Sequence, residues 1–138
     1  MTTEVKQIVE TLVSAWNAHD ALKVQRCYAA DCEEMDVALR EPQRGSAQIR
    51  KLMNYYLRAF PDAQVTIDEM ICTDTQAALL WTLRGTHRGR FMNIPPTYRN
   101  ITVRGTTLMT IEQGLVRRVA RVWDVAGLLR ELGLLPEL

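Results

Sequence analysis

Histidine and cysteine are scarce in this chain of 138 residues. There are two histidines, His19 and His87, and three cysteines, Cys27, Cys32 and Cys72. Neither set has metal-ligand spacing, so no metal site is expected. An odd number of cysteines without a framework reads as reduced thiols in a cytoplasmic protein. No run of about 18 apolar residues is present, which excludes a transmembrane helix. The first residues, MTTEVKQIVE, enter an amphipathic pattern at once and lack an apolar signal core. There is no basic run and no interleaved aromatic platform, which argues against nucleic acid as a partner. No repeat, linker or low-complexity stretch divides the chain, so residues 1–138 are read as one domain of ordinary size.

What is present is an apolar content of 47% against 24% charged residues, enough for a packed core. The net charge of +1 is unevenly spread. Residues 1–69 hold 8 basic and 11 acidic groups, whereas residues 70–138 hold 9 basic and 5 acidic ones, and all nine are arginine. Such arginines either form a solvated or partner-facing sheet surface or orient a ligand that carries a carbonyl or negative charge.

The chain is organised around Trp81 to Gly105. Leu79, Trp81, Leu83, Gly85 and His87 alternate with Leu80, Thr82, Arg84 and Thr86, the period of a strand. Pro95 and Pro96 lack an N–H and mark an excursion from the sheet. Beyond it Ile101, Val103, Gly105, Thr107, Met109 and Ile111 alternate again. Two such long strands predict a strongly curved sheet.

Helices come first. Val5, Ile8, Val9, Leu12, Val13 and Trp16 follow helical spacing to about Ala18. Asp20 caps a short second helix carrying Leu22, Val24, Cys27 and Tyr28. A short strand from Glu33 to Leu39 is expected to put Met35 and Val37 on one side. Ser46 caps a third helix with Ile49, Leu52, Met53, Tyr56, Leu57 and Phe60 in one stripe. Phe60-Pro61-Asp62 stops it. Val65 to Cys72 reads as a strand whose alternation slips at Asp68-Glu69-Met70. Asp74-Thr75-Gln76 turns into the Ala77–His87 strand, the next ends near Glu112, and Leu115 to Asp124 forms the last. Residues 127–133 make a final helical turn or two ended by Gly133.

Helices followed by a hairpin-connected sheet give an α+β layout with the helices on one face. The helices offer Trp16, Tyr28, Met53 and Tyr56 to the space between. These groups either fill the core or line a pocket for a small, largely apolar ligand.

Several stretches together resemble the SnoaL-like polyketide cyclase family of the nuclear-transport-factor-2-like fold. They are Trp16-Asn17-Ala18-His19-Asp20, Arg44-Gly45, Ala59-Phe60-Pro61-Asp62, Gly85-Thr86-His87-Arg88-Gly89, Ile94-Pro95-Pro96-Thr97, Trp123-Asp124 and the run 127–133. The resemblance implies a cone of curved antiparallel sheet closed over by helices around a pocket. It also implies a cofactor-independent enzyme that closes a ring in a polycarbonyl or aromatic substrate by intramolecular aldol condensation. Asp124 matches the family's acid/base carboxylate at the end of the last strand. A carboxylate facing an apolar pocket loses hydration and becomes a better general base. The competing reading of Asp124 is a helix N-cap.

Candidates for holding the enolate oxygen are His87, on the face of Trp81, and Arg104, mid-strand. Trp16, Tyr28, Met53, Tyr56, Trp81 and Ala120 complete the expected substrate-binding set. Val119 and Ala120 stand where family members often carry a His-Trp pair. The smaller Ala120 is expected to enlarge the cavity on the side of Asp124. A homodimer through the Arg/Thr-rich outer sheet face is expected. Rival readings are a non-catalytic binding protein with the same cavity, or an isomerase, hydrolase or hydroxylase using it.

Overall fold

The computed structural model describes residues 2–138. Helix α1 (Thr2–Asn17) buries Val5, Val9, Leu12 and Ala15, one stripe at helical spacing. Asn17 ends it and ties it to the sheet, accepting from the Val65 N–H at 2.7 Å and donating to the Val65 carbonyl at 2.9 Å. Helix α2 (Ala21–Arg26) is capped by Asp20, whose carboxylate accepts from the Lys23 N–H. Strand β1 (Tyr28–Asp36) and the two-residue β2 (Gln43–Arg44) follow, then helix α3 (Ser46–Ala59). Strands β3 (Gln64–Cys72), β4 (Gln76–Thr86), β5 (Asn100–Glu112) and β6 (Leu115–Trp123) make a meander, and α4 (Val125–Glu131) closes it.

The strands form one sheet in the order β2-β1-β6-β5-β4-β3. All neighbours are antiparallel except β1 and β6, which run parallel. The expected slip in β3 is present as a register shift between Ile67 and Glu69. Among the described residues no helix is long and apolar enough to cross a membrane.

Three local expectations need correction. Tyr28 does not belong to the second helix; it opens β1 and is buried. Ser46 is the first helical residue of α3 and not its cap, a place taken by Gly45 with a φ of 87° that favours glycine. Strand β1 runs from Tyr28 to Asp36 and not from Glu33 to Leu39; Met35 and Val37 do lie on one side, but that side is exposed, whereas Glu34 and Asp36 are buried. Hydrophobic alternation misplaces this strand because its inward groups are acids with partners waiting inside.

Helices α1, α2 and α3 cover the concave face of the sheet. One apolar cluster gathers around Val9, Leu12, Met53, Leu79 and Val116. A second gathers around Phe60, Phe91, Ile101, Val103 and Leu128. Trp16, Leu57 and Trp81 pack against both. The space between the two clusters is not filled.

Candidate functional site: a cavity with one charged wall

A cavity of about 130 Å³ lies between the two clusters. Its wall is largely apolar and rich in rings: Trp16, Tyr28, Tyr56, Phe60, Trp81, Phe91 and Trp123 all line it. Leu79, Trp81 and Leu83 enter from β4, and Ile101, Val103, Thr107 and Met109 from β5, as strand alternation predicts. The Trp81 indole donates to the Thr107 hydroxyl at 2.8 Å and lies over its cross-strand partner Gly105. A Cβ at Gly105 would collide with that ring. Phe91 reaches in from the excursion after β4 and packs on Tyr55, Tyr56 and Phe60 at ring separations of 5.3–6.0 Å.

Among the lining residues, one carries a formal charge: Arg121. It stands on β6 with its side chain only 20% exposed, and its Nη2 pairs with Glu34 Oε1 at 2.8 Å. Burial works against the charged form of Arg121. Glu34, with Tyr28, Tyr56 and Asp36, more than offsets this and holds its pKa above the usual guanidinium value. Two residues on, the Trp123 indole donates to both oxygens of Asp36, at 3.0 and 3.1 Å. Asp36 also accepts from the Ala38 N–H at 2.9 Å. The parallel pairing of β1 with β6 sets Asp36 opposite Arg121, so Glu34 reaches Arg121 and Asp36 reaches Trp123.

Tyr28 and Tyr56 complete this wall. Burial raises both phenol pKa values, Tyr56 to about 12, so each remains a protonated donor at neutral pH. One end of an apolar chamber therefore presents a guanidinium and two phenols, with two buried carboxylates close behind. Such an end can hold a carbonyl oxygen, or the negative charge that develops on it when the carbonyl becomes an enolate.

The sequence-predicted residues divide. Trp16, Tyr28, Tyr56 and Trp81 line the cavity. Met53 is buried in the first apolar cluster but does not line the cavity. Arg104 is exposed on the convex face of β5, opposite in parity to the buried Val103. Ala120 is exposed on the convex face of β6. The expected parity of β6 is thus reversed, and Arg121 and Trp123 line the cavity where Ala120 was expected. Asp124 is exposed and caps α4, its carboxylate accepting from the Gly127 N–H at 2.8 Å. It does not face the apolar chamber.

His87 is fully buried beside Phe60, at a ring separation of 5.6 Å, and does not line the cavity. Its Nδ1 accepts from the Thr97 N–H at 3.1 Å and lies 2.9 Å from the Thr97 hydroxyl. This pins the Pro95-Pro96-Thr97 excursion to the end of β4. Burial pulls the His87 pKa below its ordinary value, with a partial offset from the Gly89 backbone. Sequence reasoning missed Arg121, Glu34, Asp36 and Trp123 as a group. The available signal was four acids within Asp31–Asp36, too many for a solvated strand of that length. Among the described residues no group of three or more histidine, cysteine or acidic side chains could hold a metal ion.

A helix-covered curved sheet around an apolar chamber with one polar end defines a small-molecule-pocket protein of the cone-shaped α+β class. The chain matches the family model for SnoaL-like polyketide cyclase over residues 6–132, and it belongs to that family. Among solved structures it is similar to AclR, a candidate hydroxylase from Streptomyces galilaeus. The identity is 28%, the TM-score 0.89, and the match covers 100% of this chain and 90% of AclR. It shares its fold with IdmH, a candidate polyketide cyclase from Streptomyces antibioticus, at 22% identity and a TM-score of 0.81 over 93% of this chain and 97% of that one. A Catenulispora acidiphila protein described as ketosteroid-isomerase-like in fold, in complex with trimethylamine, matches at 18% identity and a TM-score of 0.78 over 93% of each chain. Among curated proteins, none matches this chain.

Proposed function

We propose that this chain is a cyclase-type enzyme that folds a small aromatic or polycarbonyl molecule inside the cavity and holds its reacting oxygen on Arg121. The observation that carries this reading is the placement of one buried, ion-paired guanidinium in an otherwise apolar wall. A flexible polycarbonyl chain loses much of its freedom between the ring-lined walls, which brings nucleophilic carbon and carbonyl together. Arg121 and the tyrosine hydroxyls lower the energy of the enolate. Glu34 and Asp36 are the acid/base candidates nearest that oxygen. Asp124 would need to leave its helix cap to take part, and the reading does not depend on it.

The test is incubation with a panel of bicyclic and tricyclic aromatic polyketide esters, followed by mass spectrometry. Wild type is expected to give cyclised product, and Arg121→Met to give none while remaining folded. Undiminished turnover by Arg121→Met would overturn the assignment of Arg121.

A second reading is a binding protein without chemistry. The absence of a carboxylate among the cavity-lining residues favours it. It predicts quenching of tryptophan fluorescence by the same esters with no product from any of them. The similarity to AclR supports a third, hydroxylase-type use of the cavity.

A further inference from the structure

The size of the cavity and the charge behind its polar end together narrow what it can hold. Its volume is about 130 Å³. An apolar cavity of about 150 Å³ takes one benzene ring and otherwise stays dry. The chamber therefore has room for a single ring with a short substituent, and not for a fused-ring system. Its walls are tied in place. The Trp81 indole bonds to Thr107 and lies on Gly105, and the Trp123 indole bonds to Asp36. Phe91 is wedged among Tyr55, Tyr56 and Phe60. Enlarging the chamber means giving up one of these contacts.

The polar end decides the chemistry of the substituent. Arg121 taken alone would draw a carboxylate. It is not alone. Glu34 pairs with its Nη2 at 2.8 Å, and Asp36, 1% exposed, lies opposite it on β1. Burial lowers the Arg121 pKa, and Glu34, the two phenols and Asp36 together carry it back above the ordinary value. One guanidinium against two carboxylates leaves no positive charge to spare. A ligand carboxylate would arrive as a third anion with no cation of its own, and an unpaired buried charge is costly.

A neutral carbonyl carries no such penalty. Glu34 engages Nη2, and the guanidinium fork has further N–H donors for a carbonyl oxygen. Tyr28 and Tyr56 stay protonated and can donate to the same atom. The aromatic side chains around the rest of the chamber suit a flat ring, which they meet edge-on or offset.

We propose that the cavity is a one-ring subsite for a neutral aromatic carbonyl compound, with the carbonyl oxygen on Arg121. The inference rests on the function proposed above and deepens it. A substrate of several rings places only its carbonyl-bearing end ring inside, and the remainder lies outside the chamber. Free carboxylic acids, ionised at neutral pH, are rejected by charge although they fit by size.

The test uses the chain's own tryptophans. All three, Trp16, Trp81 and Trp123, line the cavity, so each indole N–H signal in a nitrogen–proton correlation spectrum reports on an occupant. Acetophenone, benzoate and 2-acetylnaphthalene are titrated into the wild-type chain at neutral pH. Acetophenone is expected to shift the indole signals and to bind at least about tenfold tighter than benzoate. A second ring buried beside the first would tighten binding about tenfold, so 2-acetylnaphthalene is expected to be no more than about threefold tighter than acetophenone. Asp36→Asn removes one anion and keeps an acceptor for the Trp123 indole. In that variant benzoate is expected to gain on acetophenone by at least about threefold. Should the variant fail to fold, the ranking on wild type still decides.

The proposal is overturned if benzoate comes within that tenfold margin, if the naphthyl ketone exceeds its threefold limit, or if millimolar acetophenone moves no indole signal. An unchanged ratio in a folded Asp36→Asn overturns it too. A failed ranking beside cyclised product from the ester panel sinks this inference and leaves the proposed function standing. The expected ranking with no product from any ester does the reverse.

Discussion

Trp123 donates its indole N–H to both carboxylate oxygens of Asp36, at 3.0 and 3.1 Å, and Asp36 is 1% exposed. The bond joins the last strand to the first and fixes the orientation of a ring that lines the cavity.

Replacing Asp36 by alanine removes the acceptor for two donors, the Trp123 indole and the Ala38 N–H. A donor left buried without a partner costs about 1–3 kcal/mol. Urea denaturation is expected to show a loss in that range for Asp36→Ala. Tryptophan emission should also shift to the red as the Trp123 ring is released.

Arg121 and Glu34 form a buried pair, so breaking it from one side differs from removing it. Arg121→Met leaves the Glu34 carboxylate unpaired and is expected to cost about 3–5 kcal/mol. The double variant Arg121→Met with Glu34→Gln should regain most of that stability, because no buried charge remains. A thermal double-mutant cycle checks this. Two single effects that simply add would show that the pair is not coupled.

Asp124 provides a contrasting case. As an N-cap it accepts from the Gly127 N–H, a role asparagine fills about as well. Asp124→Asn is expected to keep stability within a few tenths of a kcal/mol, and Asp124→Ala to lose about 1 kcal/mol. Product formation from any ester that wild type cyclises should survive Asp124→Asn. Abolished turnover in a folded Asp124→Asn would restore this residue as the base.

His87 should make the fold sensitive to mild acid. Its ordinary pKa is 6.5, and burial lowers it in the folded chain. As pH falls through 6.5, the unfolded chain takes up a proton that the folded one refuses. The stability this group contributes is therefore complete above the unfolded pKa and is lost as pH drops towards the folded one. Melting temperatures between pH 7.5 and 5 should fall more steeply for wild type than for His87→Gln. In that variant the side-chain carbonyl can still accept from the Thr97 N–H. Parallel profiles would show that another group carries the acid sensitivity.

Much of this architecture is legible in the residues alone, for a physical reason that also explains the failures. Strands β4 and β5 alternate apolar with polar because one face is buried and the other wet, and their cavity-lining residues can be read directly. Strand β1 breaks that rule. Its inward positions are Glu34 and Asp36, which burial tolerates because Arg121 and the Trp123 N–H await them. Periodicity scores a charged residue as outward whether or not a partner waits inside. On β6 the expectation takes its parity from Asp124, a charged residue placed inward, whereas Arg121 faces the cavity and Val122 faces outward. Partners distant in the chain are invisible to any local pattern, and the site consists mainly of such partners. Asp124 shows the converse: a local capping motif was fully readable and proved to be its structural role.

The parallel pairing of β1 with β6 also sets a schedule for folding. Asp36 and Trp123 lie 87 residues apart, and so do Glu34 and Arg121. Closing a loop of that length is entropically costly and slow compared with forming the hairpins of β3, β4 and β5. On a chain emerging from the ribosome, the residues of those hairpins and of the N-terminal helices are made before those of β6. Until then the ring-lined walls stand open, and two acids on β1 wait in water for their partners. The recognition end of the chamber is thus the last part to be assembled, and a chain truncated before Arg121 would lose its polar wall and expose its aromatic interior together.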